Sequence, residues 1–218
     1  MQSTMSTDHP SSESLLKQAI AGDETALTEL FDRYRTRLRQ MVRLRMDRRV
    51  QGRVDPSDVL QEAFFDISQR IGEYAQQPEM PVFLWMRQIT GERLIDIHRK
   101  HLGARMRDAG REVSLYHGAL PQATSMSLAA QLLGKMTSAS RALQRAENQV
   151  LVQEALNAMD PVDREILALR HFEMLSNAEC AQVLDLSKSA ASNRYIRALK
   201  RIKDVLSALP GFGKKTDD

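Results

Sequence analysis

Two blocks of helical periodicity flank a stretch, Gly103 to about Arg145, that has almost none, and this division constrains the fold more than any single motif. In the first block Leu27, Leu30, Phe31, Tyr34, Leu38 and Met41 recur at the i, i+3, i+4, i+7 spacing of one buried helical face. A shorter amphipathic segment, Leu15 to Ile20, precedes it and ends near Gly22, where Asp23 is placed to cap the longer helix. Asp55-Pro56 opens a third helix, with the aspartate at the N-cap and the proline at the first helical position; Leu60, Ala63, Phe64, Ile67 and Ile71 form its stripe. Pro78 and Pro81 break the chain before a fourth helix from about Val82 to His101, with Phe83, Met86, Thr90, Leu94 and Ile97 on one side. No segment alternates apolar and polar residues for long, so strands are not expected.

Order returns with Val150, Leu151, Ala155, Leu156 and Met159, and Asp160-Pro161 repeats the cap-and-proline opening. Ser176-Asn177-Ala178-Glu179 is a capping box leading a short helix through Leu184. A break at Asp185-Leu186-Ser187 separates it from a longer basic helix, which Pro210-Gly211 stops. Short helix, tight break and longer basic helix are the outline of a helix-turn-helix. The stretch between the blocks is rich in Gly, Ser, Thr, Ala and Met, with only a turn or two of pattern around Leu128–Leu133, and is too long for a loop inside a compact domain. The expected architecture is therefore all-α. Two small helical domains, 13–102 and 147–209, are joined by a flexible linker over 103–146, and the C-terminal domain is a helix-turn-helix.

Composition narrows the function classes. Cys180 is the sole cysteine, which excludes an internal disulfide and any multi-cysteine metal site. His98 and His101 stand at i, i+3 without a third ligand at metal-binding spacing, and no glycine-rich phosphate loop or nucleophile elbow is present. No catalytic residue, metal or cofactor is expected. The N-terminus lacks the basic-then-apolar layout of a signal peptide, and no run approaches the roughly 18–20 apolar residues that span a bilayer. A soluble, cytoplasmic protein is expected.

The net charge is only +3, but arginines crowd between Arg33 and Arg53 and again between Arg87 and Arg111. On the last helix Ala191, Tyr195, Ala198, Leu199, Ile202 and Leu206 are placed to face inward. Lys188, Ser189, Ser192, Asn193, Arg197 and Lys200 fall on the other face, short polar and long basic groups suited to base edges and phosphates. An ordinary helical hairpin with a solvated face gives the same pattern. On the third helix Asp58, Gln61 and Glu62 share a face at i, i+3 and i+4, as a docking surface for a basic partner would. Most such faces meet only water. The fourth helix joins Trp85 to Arg87, Arg93, His98, Arg99, Lys100 and His101, a set that suits unstacked bases, although a lone tryptophan is more often core. The first arginine run fits a phosphate-attracting surface and simple solubility equally well.

These segments, taken in order, resemble one family. DPSDVLQEAFFDI (55–67) is similar to the part of bacterial sigma factors that docks on the polymerase clamp helices, with Asp58, Gln61, Glu62 and Phe64 on the D-x-x-Q-E-x-F pattern. WMRQITGERLIDIHRKH (85–101) resembles the helix that reads and melts the promoter −10 element. Residues 155–203 resemble the −35-binding domain almost throughout. The chain lacks room for the extra domains of larger sigma factors, which points to the extracytoplasmic-function (ECF) subgroup.

The resemblance implies a promoter-specificity factor whose partners are core RNA polymerase and promoter DNA. Asp58, Gln61 and Glu62 would dock on polymerase. Trp85, Arg87, Glu92 and Arg93 would lie in the −10 region, and Lys188, Ser189, Ser192, Asn193 and Arg197 at the −35 groove. An anti-sigma factor is a further partner it admits. Thr137, Ser138 and Ser140 lie beside Lys135 and Arg141, where a kinase could add phosphate, although ordinary polar linker residues are the expected reading. Glu92, where the family usually has asparagine, and Ser192, where a basic residue is common, depart from the pattern and bear on which promoters are read. A free-standing helix-turn-helix regulator and a protein-interaction adaptor remain alternatives on the residues alone.

Overall fold

The fold was obtained as a computed structural model, which describes residues 10–76, 78–102, 120–134 and 142–209. The described residues are helices and short connections, without a strand. The N-terminal bundle comprises α1 (Ser12–Ile20), α2 (Glu24–Arg45), the single-turn α3 (Arg48–Gln51), α4 (Pro56–Gln76) and α5 (Val82–Leu102). Its helix starts are fixed by local chemistry. The Asp23 carboxylate accepts the Thr25 and Ala26 N–H groups at 2.9 and 3.0 Å, satisfying donors that the first turn leaves free. At α4 the Asp55 side chain accepts from the Ser57 N–H at 2.7 Å, while the Asp58 carboxylate reaches back to the Asp55 N–H at 3.0 Å. That reciprocal pair is a capping box built from two aspartates. The expected stripes all point inward: Leu30, Leu38, Met41, Leu60, Ala63, Ile67, Met86 and Leu94 are buried. Phe31 and Phe64 meet edge to face at 5.0 Å between centroids.

In the C-terminal bundle α7 (Ala142–Asn157) is followed by α8 (Pro161–Leu167), a π-helical turn (Ala168–Phe172), α9 (Asn177–Val183) and α10 (Lys188–Ala208). Asp160 caps α8 through the Val162 N–H at 2.8 Å. Ser176 and Glu179 form the expected capping box on α9, and the Ser187 hydroxyl caps α10. The break between α9 and α10 turns through Asp185 at φ 51°, a left-handed conformation that aspartate tolerates. Cys180 is buried in this bundle, and burial pushes its thiol up to about 12, so it acts as a small apolar residue.

The stretch expected as a linker is partly structured. Ser125–Gly134 forms α6, whose Leu128, Ala129 and Leu133 are buried, and α7 begins at Ala142, inside the expected linker. This part of the stretch is a packed helix, not free chain, because its leucines and alanines recur at helical spacing and find apolar surface on α7 and α2. Residues 103–119 and 135–141, which include Thr137, Ser138 and Ser140, lie outside the described residues.

The two bundles touch directly. The face of α2 that carries Arg37 and Arg45, and the face of α5 that carries Arg87 and Gly91, turn away from the N-terminal core toward the C-terminal bundle and the segment before α6. Gly91 leaves room for that approach: a Cβ there would lie 1.6 Å from Leu120 Cδ2, so the leucine side chain would have to move. From the other side, the π-helical turn presents Glu173, whose N–H bonds the Ala168 carbonyl at 3.0 Å, and the chain reverses at Met174 with φ 56°.

Candidate nucleic-acid interface

The residues expected to dock on a basic partner share one open face of α4. Asp58, Gln61 and Glu62 are exposed, and so is Phe65, the next position on that face at i+7 from Asp58 and 61% accessible. Phe65 was not among the expected site residues, although its spacing from Asp58 was a readable signal. A large exposed aromatic ringed by carboxylates and amides has the composition of an interface anchor. Asp58, expected to dock, closes the α4 cap with its carboxylate. Glu62 approaches Arg93 on α5 at 3.7 Å.

The expected −10 residues are held in four different ways. Trp85 is half-buried against Tyr74, with ring centroids 4.9 Å apart, so one side packs on the bundle. Glu92 is exposed and pairs with Arg70 at 2.9 Å. Arg93 gives both Nε and Nη2 to the Asp66 carboxylate, the first at 2.9 Å, and hydrogen bonding to Asp66 raises its pKa. Arg87 is buried, and its Nε donates to Glu173 of the C-terminal bundle at 2.7 Å. The structure therefore brings Trp85, Glu92 and Arg93 to accessible or half-accessible positions and turns Arg87 away from solvent.

On α10 the expected −35 residues cluster at the N-terminal turns. Lys188, Ser189 and Asn193 are exposed and Ser192 is half-buried. Arg197 is accessible too, but it grips Asp163 of α8 bidentately at 2.7 and 2.8 Å, and Arg194 bonds the same carboxylate at 2.7 Å. Burial pushes Asp163 up, but the hydrogen bonds from Arg197 and Arg194 outweigh it and hold the carboxyl below its ordinary value. The pair of arginines thus fixes α10 on α8 and leaves part of the Arg197 guanidinium facing outward. Leu199, expected to face inward, is 37% exposed.

The arginine run gave no hint of its most organised members. Arg45 is wholly enclosed, and its Nη2 meets both Glu165 and Glu173, the latter at 2.6 Å. Arg37 stacks on Phe83 at 3.5 Å, donates from Nε to the Glu173 carbonyl at 3.0 Å, and lies 3.7 Å from Glu179. Burial pushes Glu173 up, but Arg45 and Arg87 beside it bring the carboxyl below its ordinary value, so it is ionised. Every cation of this cluster, Arg37, Arg45 and Arg87, comes from the N-terminal bundle. Every anion, Glu165, Glu173 and Glu179, comes from the C-terminal one. Among the described residues no group of acidic, histidine or cysteine side chains is disposed to hold a metal ion, and no helix is long and apolar enough to cross a membrane.

Comparison with known proteins places these features together. Residues 149–202 match the family described as sigma-70, region 4, which covers the capped α8, the π-helical turn and the helix-turn-helix. Over 196 residues the chain is 24% identical to the ECF RNA polymerase sigma factor SigD of Mycobacterium tuberculosis, covering 90% of this chain and 84% of the relative. The protein of the same name from Mycobacterium bovis matches equally. In three dimensions the chain is similar to CnrH, solved in complex with the cytosolic domain of CnrY. The TM-score is 0.51 at 22% identity, covering 89% of this chain and 96% of that one.

Proposed function

We propose that this chain, a sigma factor of the extracytoplasmic-function group, joins core RNA polymerase through the open face of α4 and directs it to promoters that it reads with α5 and α10. One observation carries the reading: the region 4 match falls on a helix-turn-helix whose second helix exposes Lys188, Ser189 and Asn193 at its first turns. Those are the turns that enter the major groove in this motif, where short polar and basic side chains reach base edges and phosphates. The α4 face supplies what a free-standing DNA-binding regulator has no need of, an acidic and aromatic patch with Asp58, Gln61, Glu62 and Phe65 side by side.

The mechanism is one of linked weak contacts. Each reader alone makes few contacts with DNA, and polymerase binding presents both at once, so the second contact forms at the effective concentration set by the first. Trp85 offers a π-face to an unstacked −10 base, Arg93 is fixed by Asp66 about two turns further along α5, and Glu92 alters the bases accepted there. Arg197, oriented by Asp163, is suited to a phosphate or base edge at −35. An anti-sigma protein partner is part of the proposal, on the ground that CnrH was solved in complex with the cytosolic domain of CnrY. The site of action is the cytoplasm, where polymerase and promoters are.

The test is reconstitution. The purified chain should bind core polymerase and support run-off transcription from a subset of promoters, while binding the same promoters weakly by itself. A tight, specific footprint without polymerase, together with no association with core enzyme, would establish a free-standing regulator instead. Glu62→Lys is the better probe of docking than any change at Asp58, because Asp58 also caps α4. Loss of a charge-assisted contact at Glu62 is expected to weaken polymerase binding by about 1.5–3 kcal/mol.

A further inference from the structure

Each residue of α10 turns the helix by about 100°, which sorts its side chains into faces. Ala191, Ala198 and Ile202 are buried. The opposite ridge carries Ser189, Asn193, Ile196 and Lys200 at i, i+4, i+7 and i+11, all exposed. Three of these are polar or charged, as a ridge facing water or DNA requires. Ile196 is neither, yet it is 60% exposed and stands roughly 140° around the helix from the buried stripe. A single apolar residue on a surface is ordinary. This one lies in the middle of the ridge that a helix-turn-helix lays into the major groove.

The direction of that ridge is fixed from two sides. Asp163 holds Arg194 at 2.7 Å and Arg197 at 2.7 and 2.8 Å, which sets the rotation of α10 about its own axis. Asn177 Nδ2 donates to the Lys188 carbonyl at 2.7 Å and ties the start of α10 to α9. Leu199 is also exposed, but it borders the open apolar groove between α6 and α10, with Leu128, Leu132 and Leu206. Ile196 lies outside that groove, roughly 60° further round the helix. An apolar partner seated in the groove would therefore leave Ile196 on the outer ridge.

We propose that Ile196 is a specificity-determining residue of the −35 reader, packing on the C5-methyl group of a thymine next to an adenine held by Asn193. This rests on the sigma-factor reading above and adds to it the bases that α10 selects. In the major groove thymine is the base that presents a methyl group, and apolar side chains recognise it by contact. Asn193 is an exposed carboxamide whose oxygen and nitrogen match the N6–H and N7 of adenine. Along the helix axis the two residues are about 4.5 Å apart. Successive base pairs are about 3.4 Å apart, so the two side chains address neighbouring positions. Ile196 gains little from the fold where it stands, and on DNA it removes both its own surface and the methyl group from water.

The test uses core polymerase loaded with the full chain and a duplex library randomised across both promoter elements. The wild type should select a −35 element with an adenine and a thymine at adjacent positions. Replacing that thymine by deoxyuridine, which lacks only the methyl group, should lower promoter occupancy about fivefold. Ile196→Ser should occupy the thymine and deoxyuridine promoters equally. Ile196→Val keeps a branched apolar end and should still prefer thymine. The comparison is a ratio within each variant, so it does not depend on how much of a preparation is folded. A selected element without thymine, a wild type indifferent to the methyl group, or the same discrimination in Ile196→Ser as in the wild type overturns the proposal. Failure of the chain to bind core polymerase overturns the sigma-factor reading and the proposal with it, whereas promoter use that ignores the methyl group overturns the proposal alone.

Discussion

Helices α2 and α5 each have two buried faces, and the two are made of opposite materials. Toward the N-terminal core they present Leu30, Leu38, Met41, Phe83, Met86, Leu94 and their neighbours, all buried and nearly all without polar atoms. Toward the C-terminal bundle they present Arg37, Arg45, Arg87 and the notch at Gly91. The apolar face gains free energy from each methylene removed from water and has no alternative partner once formed. The ionic face gains little net, because water competes for every group in it. The same pair of helices thus builds one contact that is apolar throughout and one that is ionic. Burial alone does not distinguish the two faces; the chemistry of what is buried does.

The largest expected effect lies on the apolar side. Leu38→Ala should destabilise the N-terminal bundle by about 2–5 kcal/mol, read from urea unfolding followed by circular dichroism. A loss below about 1 kcal/mol would mean that the inner face is no more committed than the ionic contact between the bundles.

Phe65→Ala sharpens the comparison from a third surface, the outward side of α4. As an exposed anchor it should contribute about 2 kcal/mol to polymerase binding, some thirtyfold in affinity, with stability unchanged within about 0.5 kcal/mol. Unaltered polymerase affinity would remove Phe65 from the docking face, and a large drop in melting temperature would make it a folding residue.

A smaller effect depends on pH. The His98 Nε2 accepts the Asp47 N–H at 3.1 Å, which requires that nitrogen to be unprotonated, and burial lowers the imidazole pKa, with Asp47 opposing and Arg49 adding to the shift. Because the folded value lies below the unfolded one, this stabilisation is complete above about pH 6.5 and falls as the pH drops below it, by at most about 1.4 kcal/mol per pH unit. Melting temperatures between pH 7.5 and 5.5 should decline for the wild type and stay flatter for His98→Gln. Parallel declines would assign the acid sensitivity elsewhere.

The features legible in the sequence were those whose physics is local. The caps at Asp23, Asp55, Asp160 and Ser176, the proline openings and most positions of the apolar stripes each involve residues within a turn or two of one another, and the structure places them as expected. Helix α6 was visible only as a turn or two of pattern, because its ordering depends on apolar surface supplied by α7 and α2. The ionic contact between the bundles was not legible at all. An arginine on a helix surface reads as solvated until its partner is known, and the partner of Arg45 stands 120 residues away and that of Arg87 86 residues away. Gly91 in mid-helix was the one sequence signal of a close approach there, and it does not say what approaches. Phe65 and Leu199 show the converse failing: an apolar residue read as core, or passed over, can stand on the surface for a partner to cover.

The most direct test of the contact between the bundles, and of the sigma-factor reading, is the distance between them in the free chain and in the polymerase complex. Spin labels at Gln18→Cys on α1 and Asp204→Cys on α10, both exposed, report it while the buried Cys180 stays unlabelled. In the free chain the account predicts one narrow distance distribution, within the roughly 45 Å span of a compact chain of this size. In the complex with core polymerase and promoter DNA it predicts a single population tens of ångströms longer. The same distance in both states, or a broad long-distance distribution in the free chain, would contradict it.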